Sequence, residues 1–221
     1  MSKSVLRAQL RPVLDAIPHQ ELQQQARSLL RALAPIIDKY DNIGCYMNME
    51  KGELPTDEII EGIFKEGKSV YLPRCTNTAH SGQIKLRDVG SKPQRHLTFH
   101  RMDSFEQIRK LKPSGRYGLR EPEAEETAPL PPAELDVILV PGVGFDMHGG
   151  RLGHGAGYYD DYMFRCDKYN NRRPLLIGMA LVEQRVLSVP MESHDVSMDG
   201  IAWGDGSLVW TGSRNSIYID K

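Results

Sequence analysis

Residues 137–163, VILVPGVGFDMHGGRLGHGAGYYDDYM, constrain the fold of this chain more than any other stretch. The run Leu135 to Val140 is apolar except for Asp136, and it leads into seven glycines between Gly142 and Gly157. The aromatic residues Tyr158, Tyr159, Tyr162 and Phe164 then open a helix expected to end near Tyr169. A strand this apolar is covered on both faces, as inner strands of a parallel sheet are. Parallel strands need crossover helices, so the fold class is α/β. Ligands of such sheets bind outside the carboxyl ends of the strands, which is where these glycines fall.

The remaining sequence supplies the alternation that such a sheet requires. Ile43 to Met49 reads as a strand, Thr56 as a helix cap, and Ile59, Ile60, Ile63 and Phe64 as the buried face of the helix that follows. Gly67 stops that helix, and Ser69 to Leu72 reads as a second strand closed by Pro73. This is a βαβ unit, which predicts a right-handed parallel crossover. Upstream, Leu6, Leu10, Val13, Leu14 and Ile17 mark a helix over 3–17 ended by Pro18. A second helix runs from Glu21 to Ala34 and is closed by Pro35. Short strands are expected at Ile84–Val89 and His96–His100, then a helix from a Ser104–Gln107 capping box to Leu111. Leu175–Leu181, Arg185–Val189 and Val196–Trp203 complete the strands. The expectation from these elements is an α/β fold with a parallel sheet. It is expected to form one domain over 1–203, with a Pro/Glu-rich loop at 121–134 and a peripheral tail at 204–221.

Composition excludes several function classes. Net charge is -1, with no basic excess for a duplex nucleic acid to meet, although His96, His100 and Arg101 form a local basic run. No apolar run is long enough to span a membrane. Cys45, Cys75 and Cys166 are far apart and make no CxxC pair, so a reducing compartment is expected. The amphipathic start has no apolar signal core, and Asp15 and Glu21 follow soon after, so a cytoplasmic location is expected over a mitochondrial one. A monomer without nucleic-acid or membrane partners is expected.

The glycine segment carries chemistry beyond its turns. It holds Arg151, His154 and Asp160. Glycines let backbone N–H groups approach a phosphate, and the following helix start adds partial positive charge. Arginine suits multidentate phosphate contact, and a carboxylate beside phosphates suits magnesium. Tyr158 and Tyr159 offer flat faces to a planar ring. The spacing matches neither a Walker A loop nor the dinucleotide fingerprint. Lys3, Arg7 and Arg11 lie four apart on one helical face, a stripe that by itself reads as solvated. His194 beside Asp195 is the nearest approach to a catalytic base.

VPGVGFD followed by GGRLGHGAGYYD resembles the signature of the 5-formyltetrahydrofolate cyclo-ligase family, also called methenyltetrahydrofolate synthetases. Lys3 and Arg7, Glu53 and Thr56, Pro73 and Arg74, Tyr117 to Pro122, and VPMESHDVSMD at 189–199 extend the resemblance over 3 to about 201. It implies a three-layer α/β/α, Rossmann-like fold with a mostly parallel central sheet and the N-terminal helices packed against it, formed as a single catalytic domain. It implies an enzyme that uses ATP and magnesium to close 5-formyltetrahydrofolate, with or without a polyglutamated tail, into 5,10-methenyltetrahydrofolate. It implies Arg151, Tyr158 and Asp160 as catalytic residues. ATP would contact Lys3, Arg7, Arg151, Gly153, His154, Gly155, Ala156, Gly157, Tyr158 and Tyr159. Folate would face Met49, Glu53 and one of Tyr158 or Tyr159, and magnesium would take Asp160 and Asp195. Some relatives carry Arg and Lys where this chain has His154 and Ala156, which implies either a weaker hold on ATP or a larger share of the phosphate charge on Lys3 and Arg7. Two rival classes stay open: a phosphate-binding isomerase that needs no ATP, and a folate-binding regulator without turnover.

Overall fold

The computed structural model describes residues 1–84, 94–114, 118–124 and 128–212. Helices α1 (Lys3–Asp15) and α2 (His19–Lys39) precede strand β1 (Asn42–Gly44), helix α3 (Asp57–Lys65) and strand β2 (Ser69–Asn77). Next come α4 (Thr78–Ser81), β3 (Arg95–Met102), α5 (Phe105–Lys110), and the short pair β4 (Pro113–Ser114) and β5 (Leu119–Arg120). The second half holds β6 (Val137–Val140), β7 (Gly144–Phe145), β8 (Arg151–Leu152), α6 (Tyr158–Asn170), β9 (Leu175–Ala180), β10 (Gly200–Trp203) and β11 (Leu208–Trp210).

The main sheet runs β11-β10-β9-β6-β1-β2-β3. Its inner pairs are parallel, and the outer pairs β2–β3 and β10–β11 are antiparallel. Side-chain alternation sorts the two faces. Val137 and Leu139 join Leu29, Leu33, Ile59 and Ile63 of α2 and α3 in one cluster. Ile138 and Val140 join Tyr162, Met163 and Cys166 of α6 in the other. The result is three layers, with the N-terminal helices on one face and α6 on the other.

The order of strands locates a crevice. From β1 the chain moves to β2 and β3 on one side, and from β6 it moves to β9, β10 and β11 on the other. Neighbours β1 and β6 therefore flank the topological switch point, where connections leave in opposite directions and a gap opens at the carboxyl ends. The segment after β1 brings Met49 and Glu53 to that gap, and the segment after β6 brings the glycines.

Several boundaries differ from the sequence expectation. Helix α2 runs through Pro35 to Lys39, because Leu33, Ile36 and Ile37 are all buried and their packing outweighs the lost backbone donor. Strand β2 likewise runs through Pro73. Its partner β1 ends opposite Tyr71, so Pro73 has β3 alone beside it and is tolerated as in an edge strand. Strand β1 stops at Gly44 rather than Met49. Residues 185–189 form no strand, only a bridge from Arg185 to Phe145. Thr56 does not cap α3 with its side chain; its hydroxyl donates to Asn48 Oδ1 at 3.3 Å. The tail is not wholly peripheral, since β11 pairs along β10 and Thr211 donates to the Met198 carbonyl at 2.6 Å. The strand expected at Ile84–Val89 lies beyond Ile84 outside the described residues, as does Tyr117.

Candidate functional site

The glycine segment is a hairpin followed by a loop. Strands β7 and β8 pair, with Gly144 opposite Leu152 and Phe145 opposite Arg151. Asp146 organises the hairpin. Its Oδ1 accepts from His148 and Gly150 N–H, each at 2.9 Å, and its Oδ2 accepts from Val189 N–H at 2.7 Å. A Cβ on Gly142 would meet the Phe145 ring at 2.6 Å, so this glycine exists for close packing. The plain turn-and-packing reading therefore accounts for the first four glycines, Gly142 to Gly150. Gly153, Gly155 and Gly157 remain for the loop that opens α6.

That loop is held from two sides. Arg7 Nε of α1 donates to the Gly153 carbonyl at 2.7 Å. Arg151 places one guanidinium nitrogen 3.3 Å from Asp160 Oδ2 and lies 5.3 Å over the Tyr159 ring. Its buried Nε finds no acceptor among the described residues. A Cβ on Gly153 would meet Arg151 at 2.8 Å, so glycine there keeps the backbone against the guanidinium. Gly155 and Gly157 have φ of 106° and 70°, which side chains resist. His154, Gly155 and Ala156 are exposed at the crest. Burial pushes the Tyr159 phenol far above its ordinary range, and Arg151 opposes this only in part, so the ring stays neutral.

Glu53 is buried beneath this crest, while Glu50 points to solvent. Glu53 Oε2 accepts the Met49 N–H at 2.8 Å, and Oε1 lies 3.1 Å from His154 Nε2. Of the residues expected to face folate, Met49 and Glu53 share a hydrogen bond, Tyr159 lies near enough to Glu53 to feel its charge, and Tyr158 lies against β2. The Cys75 thiol of β2 lies 3.6 Å from the Tyr158 hydroxyl. A cleft of about 260 Å³ is lined by Cys75, Arg74, His80, Arg95, Thr98 and His100 among others, with no carboxylate in its lining among the described residues.

The two carboxylates expected to hold metal also adjoin, lining one cavity of about 380 Å³. Asp160 Oδ1 accepts Val196 N–H at 2.9 Å. Asp195 Oδ2 accepts Lys3 Nζ at 2.5 Å and Glu192 N–H at 2.6 Å. Burial raises the Asp195 carboxyl, but Lys3, the Glu192 N–H and His194 together hold it below its ordinary range. Lys3 and Arg7 are therefore not a solvated stripe. Both are partly buried and tie α1 to the site, whereas Arg11 is exposed.

The sequence profile of the 5-formyltetrahydrofolate cyclo-ligase family matches residues 1–204. This chain belongs to that family. The 5-formyltetrahydrofolate cyclo-ligase of Saccharomyces cerevisiae is 43% identical over 214 residues, covering 95% of this chain and 98% of its own. The Mus musculus cyclo-ligase is 31% identical, covering 92% and 94% respectively. Among solved structures, the 5,10-methenyltetrahydrofolate synthetase of Aquifex aeolicus aligns with a TM-score of 0.70 at 24% identity, over 98% of this chain and 96% of that one. That likeness bears on the fold, a mostly parallel sheet between helical layers.

Two features of this family member escaped the sequence reading. Arg165 of α6 is fully buried, donating to Asp161, Gln83 and the Leu97 carbonyl, and so pins α6 to β3. A charged residue in an aromatic helix carries no signal of that role. His96 and His100, two members of the local basic run, are buried, whereas Arg101 is exposed. Burial, with Arg165 adding to it, pushes the His96 imidazole down to about 4.

Proposed function

We propose that the protein uses ATP and magnesium to cyclise 5-formyltetrahydrofolate to 5,10-methenyltetrahydrofolate, releasing ADP and phosphate. The single observation that carries the reading is the 3.1 Å contact between His154 of the glycine loop and Glu53 at the end of β1. A γ-phosphoryl group can reach a formyl oxygen only if the phosphate site and the pterin site adjoin. Here they touch.

The chain fits ATP on two counts. Arg151 keeps a buried unused N–H, and Gly153 leaves a backbone cradle that a Cβ would fill. It fits magnesium because that ion needs few protein ligands and takes the rest from phosphates and water. Asp160 and Asp195 would hold it, and it would neutralise phosphate charge. The loop and Arg151 position the γ-phosphoryl group, the main requirement of phosphoryl transfer. The formyl oxygen bonds to phosphorus as the bond to ADP breaks. N10 then adds to the formyl carbon, and loss of phosphate and of the N10 proton leaves the methenyl bridge. Glu53 accepts from the amino and ring N–H edge of the pterin, and Tyr158 or Tyr159 covers its face.

The basic cleft beginning at Cys75 suits the glutamyl end of the folate, polyglutamated or not. Three unpaired cysteines are consistent with a reducing compartment such as the cytoplasm. The deciding experiment follows the near-ultraviolet absorbance of the methenyl product from 5-formyltetrahydrofolate, with and without MgATP. Product that requires MgATP supports the reading. Absence of product under both conditions overturns it, and product without ATP favours an ATP-independent enzyme.

A further inference from the structure

His154 does more than line the phosphate loop. A carboxylate can only accept, so in the contact with Glu53 Oε1 the proton sits on His154 Nε2. The other Glu53 oxygen is already engaged by the Met49 N–H at 2.8 Å. The Glu53 side chain is 6% exposed and the His154 side chain 40%, so the imidazole is the outer, replaceable partner. Each Glu53 oxygen thus already accepts one hydrogen bond in the ligand-free protein, and the imidazole stands over the outer one.

The position of His154 decides when it lets go. Gly153 is anchored through its carbonyl by Arg7, and Gly155 follows with a φ of 106°. The imidazole therefore stands between a fixed point and a glycine pivot, at the crest where nucleotide phosphates would lie. A phosphate oxygen is a second acceptor for the same N–H, and charged acceptors bind such donors strongly. Whatever draws His154 toward phosphate frees the outer oxygen of Glu53.

We propose that His154 is a latch coupling the two sites. Without nucleotide it masks Glu53; with nucleotide it turns to the phosphates and unmasks the pterin acceptor. The inference rests on the proposed placement of ATP and folate, and it adds that folate binding is conditional on nucleotide. Coupling is reciprocal, so folate must tighten nucleotide binding by the same factor. If the contact were merely a structural tie that positions Glu53, losing it would weaken folate binding.

Calorimetry separates these cases. Binding of 5-formyltetrahydrofolate is measured with and without a non-hydrolysable ATP analogue plus magnesium, on the full chain and on His154→Ala. For the unaltered protein, the analogue is expected to tighten folate binding by about tenfold. His154→Ala is expected to bind folate without nucleotide nearly as tightly as the unaltered protein does with it, and the analogue then adds less than about twofold. The substitution is at an exposed loop crest, so it leaves the fold intact. Weaker or unchanged folate binding by His154→Ala without nucleotide overturns the latch, and so does a full analogue effect retained in the variant. These outcomes leave the proposed function standing. Failure of the unaltered protein to bind folate under any condition removes the proposed function and the latch together.

Discussion

Glu53 and Asp160 are both buried carboxylates, yet their surroundings assign them different work. Glu53 has one oxygen fixed by a backbone N–H and one turned to a replaceable imidazole. Glu53→Gln keeps the size but turns one oxygen into a donor facing the donors of the pterin edge. Folate binding should weaken by roughly 2–3 kcal/mol, as calorimetry in the presence of magnesium and a non-hydrolysable ATP analogue would show. Asp160 bridges Arg151 and the Val196 N–H, so it holds the loop as well as facing the expected metal. Asp160→Asn should lower turnover at saturating magnesium by at least about tenfold and also lower the melting temperature. Turnover near that of the unaltered protein would leave Asp160 with the structural task only. His96 has neither ring nitrogen hydrogen-bonded among the described residues. Its imidazole titrates at about 4 in the folded protein against an ordinary 6.5. Between those values the unfolded chain binds a proton that the folded chain refuses, so stability falls as pH drops from 6.5 toward 4. Melting curves at several pH values should show a shallower acid loss in His96→Leu.

At the level of elements, α1 has an unexpected task. Its buried leucines, Leu6, Leu10 and Leu14, dock it on the core, and its charged face closes the site. Arg7 holds the Gly153 carbonyl, and Lys3 pairs with both Asp195 and Glu192. A solvated stripe would be removable at no cost to the fold. These contacts predict otherwise. Arg7→Ala should cost about 1–2 kcal/mol of stability and raise the apparent KM for ATP, because the loop loses its anchor. Denaturant melts and ATP titrations on the same preparation would check both, and an unaltered melt would return Arg7 to the surface. The Ser104 cap of α5 shows how local chemistry reads through. Gln107 N–H donates to the Ser104 hydroxyl at 3.2 Å, and the Gln107 side chain reaches back to the Asp103 N–H at 2.8 Å. The reciprocal pairing expected from the spacing forms, displaced by one residue at its second arm.

Across the whole molecule, the switch point between β1 and β6 joins segments roughly a hundred residues apart in sequence, and the cleft beyond Cys75 extends the joined site outward. If that cleft receives the glutamyl end of folate, each added glutamyl group brings a carboxylate toward Arg95 and Arg74. The KM for a triglutamate substrate should then lie below that for the monoglutamate, and Arg95→Glu should erase the difference, about fivefold for one exposed ion pair. Steady-state kinetics on the two substrates would show it; a ratio unchanged by Arg95→Glu would place the tail elsewhere. The α/β class, the parallel inner strands and the loop carrying Arg151, His154 and Asp160 were legible in the sequence alone, because apolar runs, glycine spacing and caps act over a few residues. Local signals also set errors: Pro35 and Pro73 read as stops, and only burial of Ile36 and Ile37 or the pairing with β3 overrules them. The contacts that make the site lie far apart in sequence, Arg7 with Gly153, Lys3 with Asp195, and His154 with Glu53. Hydrogen bonds of this kind leave no periodicity to read. The residue types and the strand pattern were the sequence's to determine; which oxygen each cation or imidazole would meet was decided by how the sheet orders its strands.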